Sequence, residues 1–279
     1  MPKTVVISGG TDGMGRAFAL ARLSRGDRVI AIGSNPAKGE SLIAAAAATA
    51  RNLTFLRADL SSTVEVNRVI DQVTVTTPTV DALLLFANRV LPQRVLTPEG
   101  FEHTFALYYL SRHLLSHGLT PLLDRSPTPT IISIAGVGVT KGSINWTDPQ
   151  LSRRYTPITA QLQAGRANDL LAVYYAETSH SPIPFILYHP GFTRSGDHSP
   201  LNPPTRLLLR TLSRLAAQPI TTAIAPLHDF VDTPPAAPLT AIDRGRPVPL
   251  DFPTLNPVTA RRLADLTATM LAAQQPNSL

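Results

Sequence analysis

No cysteine occurs among the 279 residues, which excludes a disulfide framework and a thiolate metal site. Lysine stands only at positions 3, 38 and 141, so nearly all of the basic charge is arginine. No run of eighteen apolar residues occurs, and no membrane-crossing helix is expected. The chain enters an apolar strand pattern almost at once, leaving no room for a signal peptide; a cytoplasmic protein is expected. No cluster of His, Asp and Glu has metal-ligand spacing, and no metal is expected.

What is present is globular in composition, at 43% hydrophobic and 16% charged. The net charge of +6 comes from arginines that are scattered rather than clustered. That pattern reads as a solvated basic surface with some affinity for an anionic small molecule, and no motif points to nucleic acid.

The chain is organised around residues 4–16, TVVISGGTDGMGR. Val5, Val6 and Ile7 form a strand, Ser8, Gly9, Asp12, Gly13, Met14 and Gly15 a loop, and Ala17 to Leu23 a helix. A loop that turns sharply while its backbone approaches a ligand has no room for Cβ atoms. The helix N-terminus behind it offers N–H groups and a positive dipole end, which suit a pyrophosphate.

A second buried strand, Asp27 to Ile32, ends before Gly33, Ser34, Asn35 and Lys38. A carboxylate at this strand end would accept the ribose hydroxyls of NAD and repel the 2′-phosphate of NADP. None is present, and Ser34, Asn35 and Lys38 suit a phosphate, so NADP(H) is favoured over NAD(H). Further strands are expected at Leu53 to Ala58, Asp81 to Ala87, Thr130 to Ile134 and Pro184 to Tyr188. Helices are expected over 36–50, 62–73, 97–123 with Thr97 as its N-cap, around 168–178, over 206–217 and over 258–273. Residues 232–257 are proline-rich and read as extended against the body. The alternation predicts an α/β fold, a doubly wound parallel sheet with helices on both faces, with residues 1–279 as one domain.

The spacing Ser8-Gly9-x-x-x-Gly13-x-Gly15 resembles the T-G-x-x-x-G-x-G loop of the short-chain dehydrogenase/reductase family, with Ser for Thr. The resemblance implies a Rossmann-type fold and a nicotinamide cofactor. Asp59-Leu60 stands where the family has an Asp-Leu pair whose Asp faces the adenine. Ala87 is what remains of the family's Asn-Asn-Ala-Gly, and Pro190-Gly191 matches a Pro-Gly that passes over the nicotinamide. By the same resemblance, 193–217 is a substrate loop or lid and 232–279 a C-terminal extension.

The catalytic half departs from the family. Against the retinol-dehydrogenase-like branch, Ile144-Asn145-Trp146 leads through Tyr155 to Ala160 and on to Ala167-Asn168 in register. In that register the family's Tyr becomes Gln161, its Lys Gly165, its Ser Gly136 and its helix Asn Tyr108. Gln161 cannot ionise, and Gly165 has no cation to depress a neighbour's pKa. The candidate catalytic groups are therefore Tyr108 and Gln161. Tyr108 and Arg112, like Tyr109 and His113, are i,i+4 pairs that share a face. Arg166 reads as a surface or helix-end charge, Asp169 as a solvated carboxylate with a base as the lesser alternative, and His189 as a non-catalytic residue before the Pro-Gly turn.

Three functions fit this pattern. The first is an NADP(H)-dependent oxidoreductase with a replaced active site, acting on an activated C=C, C=N or C=O of a small organic metabolite. The second is a non-redox cyclase, isomerase or dehydratase of a biosynthetic pathway on the same fold. The third is a non-catalytic NADP(H) sensor. The partner is a small molecule, with no nucleic acid and no membrane. The patterns at 105–115 and 170–175 permit the homodimer or homotetramer that the family commonly forms through its fourth and fifth helices.

Overall fold

The structure is a computed structural model that describes residues 2–139, 141–179, 183–191 and 218–274. The first half alternates β1 (Thr4–Ser8), α1 (Gly13–Ser24), β2 (Arg28–Gly33), α2 (Pro36–Ala46), β3 (Leu53–Arg57), α3 (Thr63–Thr76) and β4 (Ala82–Leu85). A broken helix follows: α4 (His103–Phe105), a π-helical turn (Ala106–Leu110), α5 (Ser111–Gly118) and α6 (Thr120–Leu123). Then come β5 (Thr130–Ile134), α7 (Pro157–Thr178), β6 (Phe185–His189), α8 (Ile220–Asp232), β7 (Leu239–Asp243), β8 (Arg246–Pro247) and α9 (Pro257–Ala272).

The strands form one sheet in the order β3-β2-β1-β4-β5-β6-β7-β8. All pairs from β3 to β7 are parallel, and β8 is antiparallel to β7. A parallel sheet needs cover on both faces, so its strands are apolar on both. Val6, Leu83, Ile131 and Leu187 pack with α3, α5, α7 and α9. Val5, Ile7, Leu84 and Ile132 pack with α1, α2 and α8 on the other face. The chain leaves β1 for β2 and β3, then returns to the other side of β1 with β4. The crevice at the carboxyl ends of β1 and β4 is thus a topological switch point.

Several expected elements are redrawn. The helix expected over 36–50 stops at Ala46, and Ala47–Asn52 is a 3₁₀ turn; Ala47 has φ 46°, and the Thr49 hydroxyl takes the Ala46 carbonyl at 2.6 Å. The helix expected from Thr97 starts at His103. Glu102 caps it, accepting from the N–H groups of Thr104 and Phe105 at 2.8 and 2.7 Å. Thr97 instead closes a tight turn with Phe101. The stretch 232–257 is more than an extended flank: Leu239 and Ala241 face the core from a seventh strand. The expected loop and helix of 193–217 lie outside the described residues.

Arg22, 2% exposed, ties three elements together. Its guanidinium reaches Asp27 before β2 at 2.5 Å and Asp232 at the end of α8 at 2.8 Å. Replacing Arg22 by Met leaves Asp27 buried without its cation. Urea unfolding of that variant is expected to show a loss of about 3–5 kcal/mol.

Candidate active site

The glycine loop sits at the switch point because only glycine fits there. A Cβ on Gly9, whose φ is +71°, would stand 2.8 Å from the Ala87 backbone nitrogen, and one on Gly15 would stand 2.3 Å from the Gly9 carbonyl oxygen. The Ser8 hydroxyl accepts from the Ala87 N–H at 3.3 Å, joining the ends of β1 and β4. Asp12 caps α1, accepting from the Gly13 N–H at 2.8 Å, and Met14 and Gly15 follow in the first turn.

At the end of β2 the three expected phosphate groups stand together but are differently occupied. Ser34 is exposed. The Asn35 side chain caps α2, accepting from the Lys38 N–H at 3.2 Å. The Lys38 ammonium is ion-paired with the second Asp12 carboxylate oxygen, across the mouth of the loop. Asp59 is exposed and accepts from the Ser61 N–H and hydroxyl at 3.0 and 2.8 Å, while Leu60 is buried beneath it. Pro190 is buried, and Gly191 turns with φ +89° beyond β6.

The four positions of the expected catalytic set divide between three elements. Gly136 is buried just past β5. Gln161 and Gly165 lie one turn apart on α7. The Gln161 amide is engaged with that of Asn88, each donating to the other at 3.1 Å, and it also donates to the Arg89 carbonyl at 3.1 Å. Tyr108 lies in the π turn, and its carbonyl accepts from the Asn168 amide at 2.7 Å. Burial holds the Tyr108 hydroxyl above its ordinary pKa, against the pull of Arg112 and with a push from Asp169. Tyr155 donates to the Leu91 carbonyl at 3.0 Å.

Arg112 is fully buried beneath this edge. It donates to the Ser133 hydroxyl at 2.7 Å, the Ile134 carbonyl at 3.0 Å and the Ala87 carbonyl at 3.3 Å, and it lies over the Tyr108 ring at 4.6 Å. Burial depresses its pKa to about 10. Asn88 did not stand out in the sequence and Asn168 did so only as an aligned position, because a lone amide carries no periodic signal. Their partners are 73 and 60 residues away. His189 is joined to Asp243 through Nδ1 at 2.7 Å, across neighbouring strand ends. Burial raises the Asp243 carboxyl, and the hydrogen bonds from His189 and Arg244 outweigh it, leaving the carboxyl below its ordinary value.

Two expectations on α7 are overturned. Arg166 is 5% exposed and Asp169 0%, and they pair with each other at 2.7 Å. Arg166 also donates to the Gly142 carbonyl at 2.9 Å. The i,i+3 spacing neutralises both charges locally, so the pair faces Gly138, Gly142 and Thr254 rather than solvent. Among the described residues no group of three His, Asp or Glu could hold a metal ion, and no helix is long and apolar enough to cross a membrane.

A glycine loop and helix N-terminus at the switch point of a parallel sheet define an α/β protein of the dinucleotide-binding type. The family model for short chain dehydrogenases matches residues 3–148, just over half of the chain, and the chain belongs to that family. The match contains the glycine loop, Asp59, Ala87, Tyr108 and Gly136, and ends before Gln161 and Gly165. The chain is 29% identical over 195 residues to a protein assigned as daunorubicin C-13 ketoreductase from Streptomyces sp. (strain C5), covering 69% of this chain and 67% of that one. Bovine retinol dehydrogenase 12 is 28% identical over 196 residues, covering 69% and 62%. The matches span only 57–67% of the length of such curated relatives. A short chain dehydrogenase from Escherichia coli CFT073, solved with NADPH, shares the fold at a TM-score of 0.65 and 18% identity, over 88% of this chain and 97% of that one.

Burial pushes the Asp169 carboxyl up to about 7, against the pull of Arg166 and a hydrogen bond from the Gly138 backbone. Between its ordinary value of 3.8 and about 7, the folded chain binds a proton that the unfolded chain does not. Stability is therefore greatest below that window and falls as the pH rises through it. The fall in urea midpoint between pH 5 and pH 8 is expected to shrink in Asp169→Asn.

Proposed function

We propose that this chain is an NADP(H)-dependent oxidoreductase lacking the usual Ser-Tyr-Lys set, acting on an activated C=C, C=N or C=O of a small organic metabolite. The observation that carries the reading is the glycine loop. It is packed so closely on Ala87 that a Cβ would collide, and it opens at the carboxyl ends of β1 and β4. In this reading the loop from Ser8 to Gly15 and the start of α1 hold the pyrophosphate. Asp59 and Leu60 flank the adenine, Ser34, Asn35 and Lys38 receive the 2′-phosphate, and Ala87, Pro190 and Gly191 bound the nicotinamide. The nicotinamide supplies the hydride when bound. Relatives named as a ketoreductase and a retinol dehydrogenase, and a neighbour solved with NADPH, support the class of chemistry.

The chain's own residues do less acid–base work than a ketone reduction ordinarily requires. Gln161 hydrogen-bonds but cannot ionise, and the Tyr108 hydroxyl is held above its ordinary pKa. An acceptor that is already polarised needs less of that help, which is why the substrate is taken to be an activated one. The amide pair of Gln161 and Asn88 also favours a second reading, a non-redox enzyme or an NADP(H) sensor, because it closes the acid position with a group that cannot ionise.

Titration with NADPH and NADH, read by nicotinamide fluorescence, tests the reading. Micromolar binding of NADPH, tighter than NADH, is expected; binding of neither defeats it. Asp12 holds Lys38 and places a carboxylate beside the phosphate site. Asp12→Asn is therefore expected to raise the preference for NADPH several-fold, and Lys38→Gln to lower it.

A further inference from the structure

Gly165 lies in the interior of α7, a helix of 22 residues. Glycine there is destabilising relative to alanine, so a reason is to be sought for it. Other glycines of this chain have one. A Cβ at Gly142 would lie 1.9 Å from the Leu162 carbonyl oxygen, one at Gly39 2.2 Å from the Phe55 ring, and one at Gly118 2.6 Å from Ile70. Gly138 and Gly191 have φ of +79° and +89°. Gly165 has a helical backbone, and no heavy atom of the described residues comes within 4 Å of the place its Cβ would take, its own helix backbone and chain neighbours apart. The residue is nevertheless buried. Among the described residues the place is unfilled, and nothing in the described fold requires it to be so.

We infer that the space over Gly165 receives a flat, apolar ring of a bound ligand, laid against the backbone of α7 beside Gln161 and Tyr108. Gln161 stands one turn earlier on the same face of α7. The Asn168 amide donates to the carbonyls of both Tyr108 and Ala164, at 2.7 and 3.0 Å, and so draws the π turn against α7 at this level. The helix backbone here has its N–H and C=O groups spent on the helical ladder, so a bare glycine face offers contact and no hydrogen bond. A charged or strongly polar group placed on it would lose water without a partner, whereas a planar ring gains dispersion contact over its whole face. The nearest side-chain amides, Gln161 and Asn88, are already satisfied by each other.

The inference rests on the reading of this edge as the site of a nicotinamide nucleotide and its substrate. The ring is either the nicotinamide or a ring of the substrate, and the test separates the two. Gly165→Ala and Gly165→Leu are compared with the wild type by thermal unfolding, by NADPH titration and by binding of 9,10-phenanthrenequinone, a planar probe, with and without NADP⁺. Gly165→Ala is expected to raise Tm by about 2–4 °C, because the helix gains and nothing is displaced. Gly165→Leu is expected to weaken one ligand at least tenfold. Loss of NADPH binding assigns the space to the nicotinamide ring; loss of quinone binding with NADPH unchanged assigns it to the substrate. The inference is overturned if both variants bind both ligands within twofold of wild type, or if Gly165→Ala lowers Tm. Wild-type protein that binds neither NADPH nor NADH defeats the cofactor reading instead, and the quinone comparison then decides the ring site by itself.

Discussion

The edge of the sheet that carries the candidate site hangs on the Arg112 guanidinium. It is a fully buried cation whose hydrogen bonds go to the hydroxyl of Ser133 and the carbonyls of Ile134 and Ala87. Taking a charge out of water costs several kcal/mol, and here carbonyl dipoles and the face of an aromatic ring offset it. The consequence is mechanical as well as electrostatic. One side chain grips the backbone just after β4 and the last two residues of β5, the two strands that flank the nicotinamide position in the proposed reading. The same grip fixes the ring of Tyr108, which stands four residues earlier.

The π turn explains how that pair is presented. One extra residue in the turn breaks the i→i−4 ladder and leaves backbone groups to be satisfied elsewhere. The Tyr108 carbonyl goes to Asn168 on α7. A helix irregularity, a buried amide and a buried guanidinium are thus one arrangement. α7 is tied on two sides: one face meets the π turn through Asn168, and Arg166 meets Gly142 and Thr254.

Much of the framework was legible in the sequence. Strands β1, β2, β4, β5 and β6 announce themselves because both faces are buried, and β5 runs over the expected residues Thr130 to Ile134. The glycine loop was legible because close approach leaves no alternative to glycine. What was not legible depended on distant partners. Thr97 has the composition of an N-cap, but Glu102 wins because its carboxylate reaches two N–H groups at once. Arg166 and Asp169 look like solvent-facing charges until their mutual pairing and the 253–255 turn remove them from water. β7 follows prolines and is recognised as a strand only once β6 lies beside it. The sequence places Gln161 and Gly165 one turn apart, but not the amide that meets the one or the empty space above the other.

The short strand β8 has a bearing on how copies of this chain can meet. Its two residues, Arg246 and Pro247, are exposed and close the β7 side of the sheet. Pro247 has no N–H to offer a further strand, and Arg246 and Arg244 put positive charge beside it. A second molecule therefore finds no template for extending the sheet at this border, and association by strand addition is blocked there.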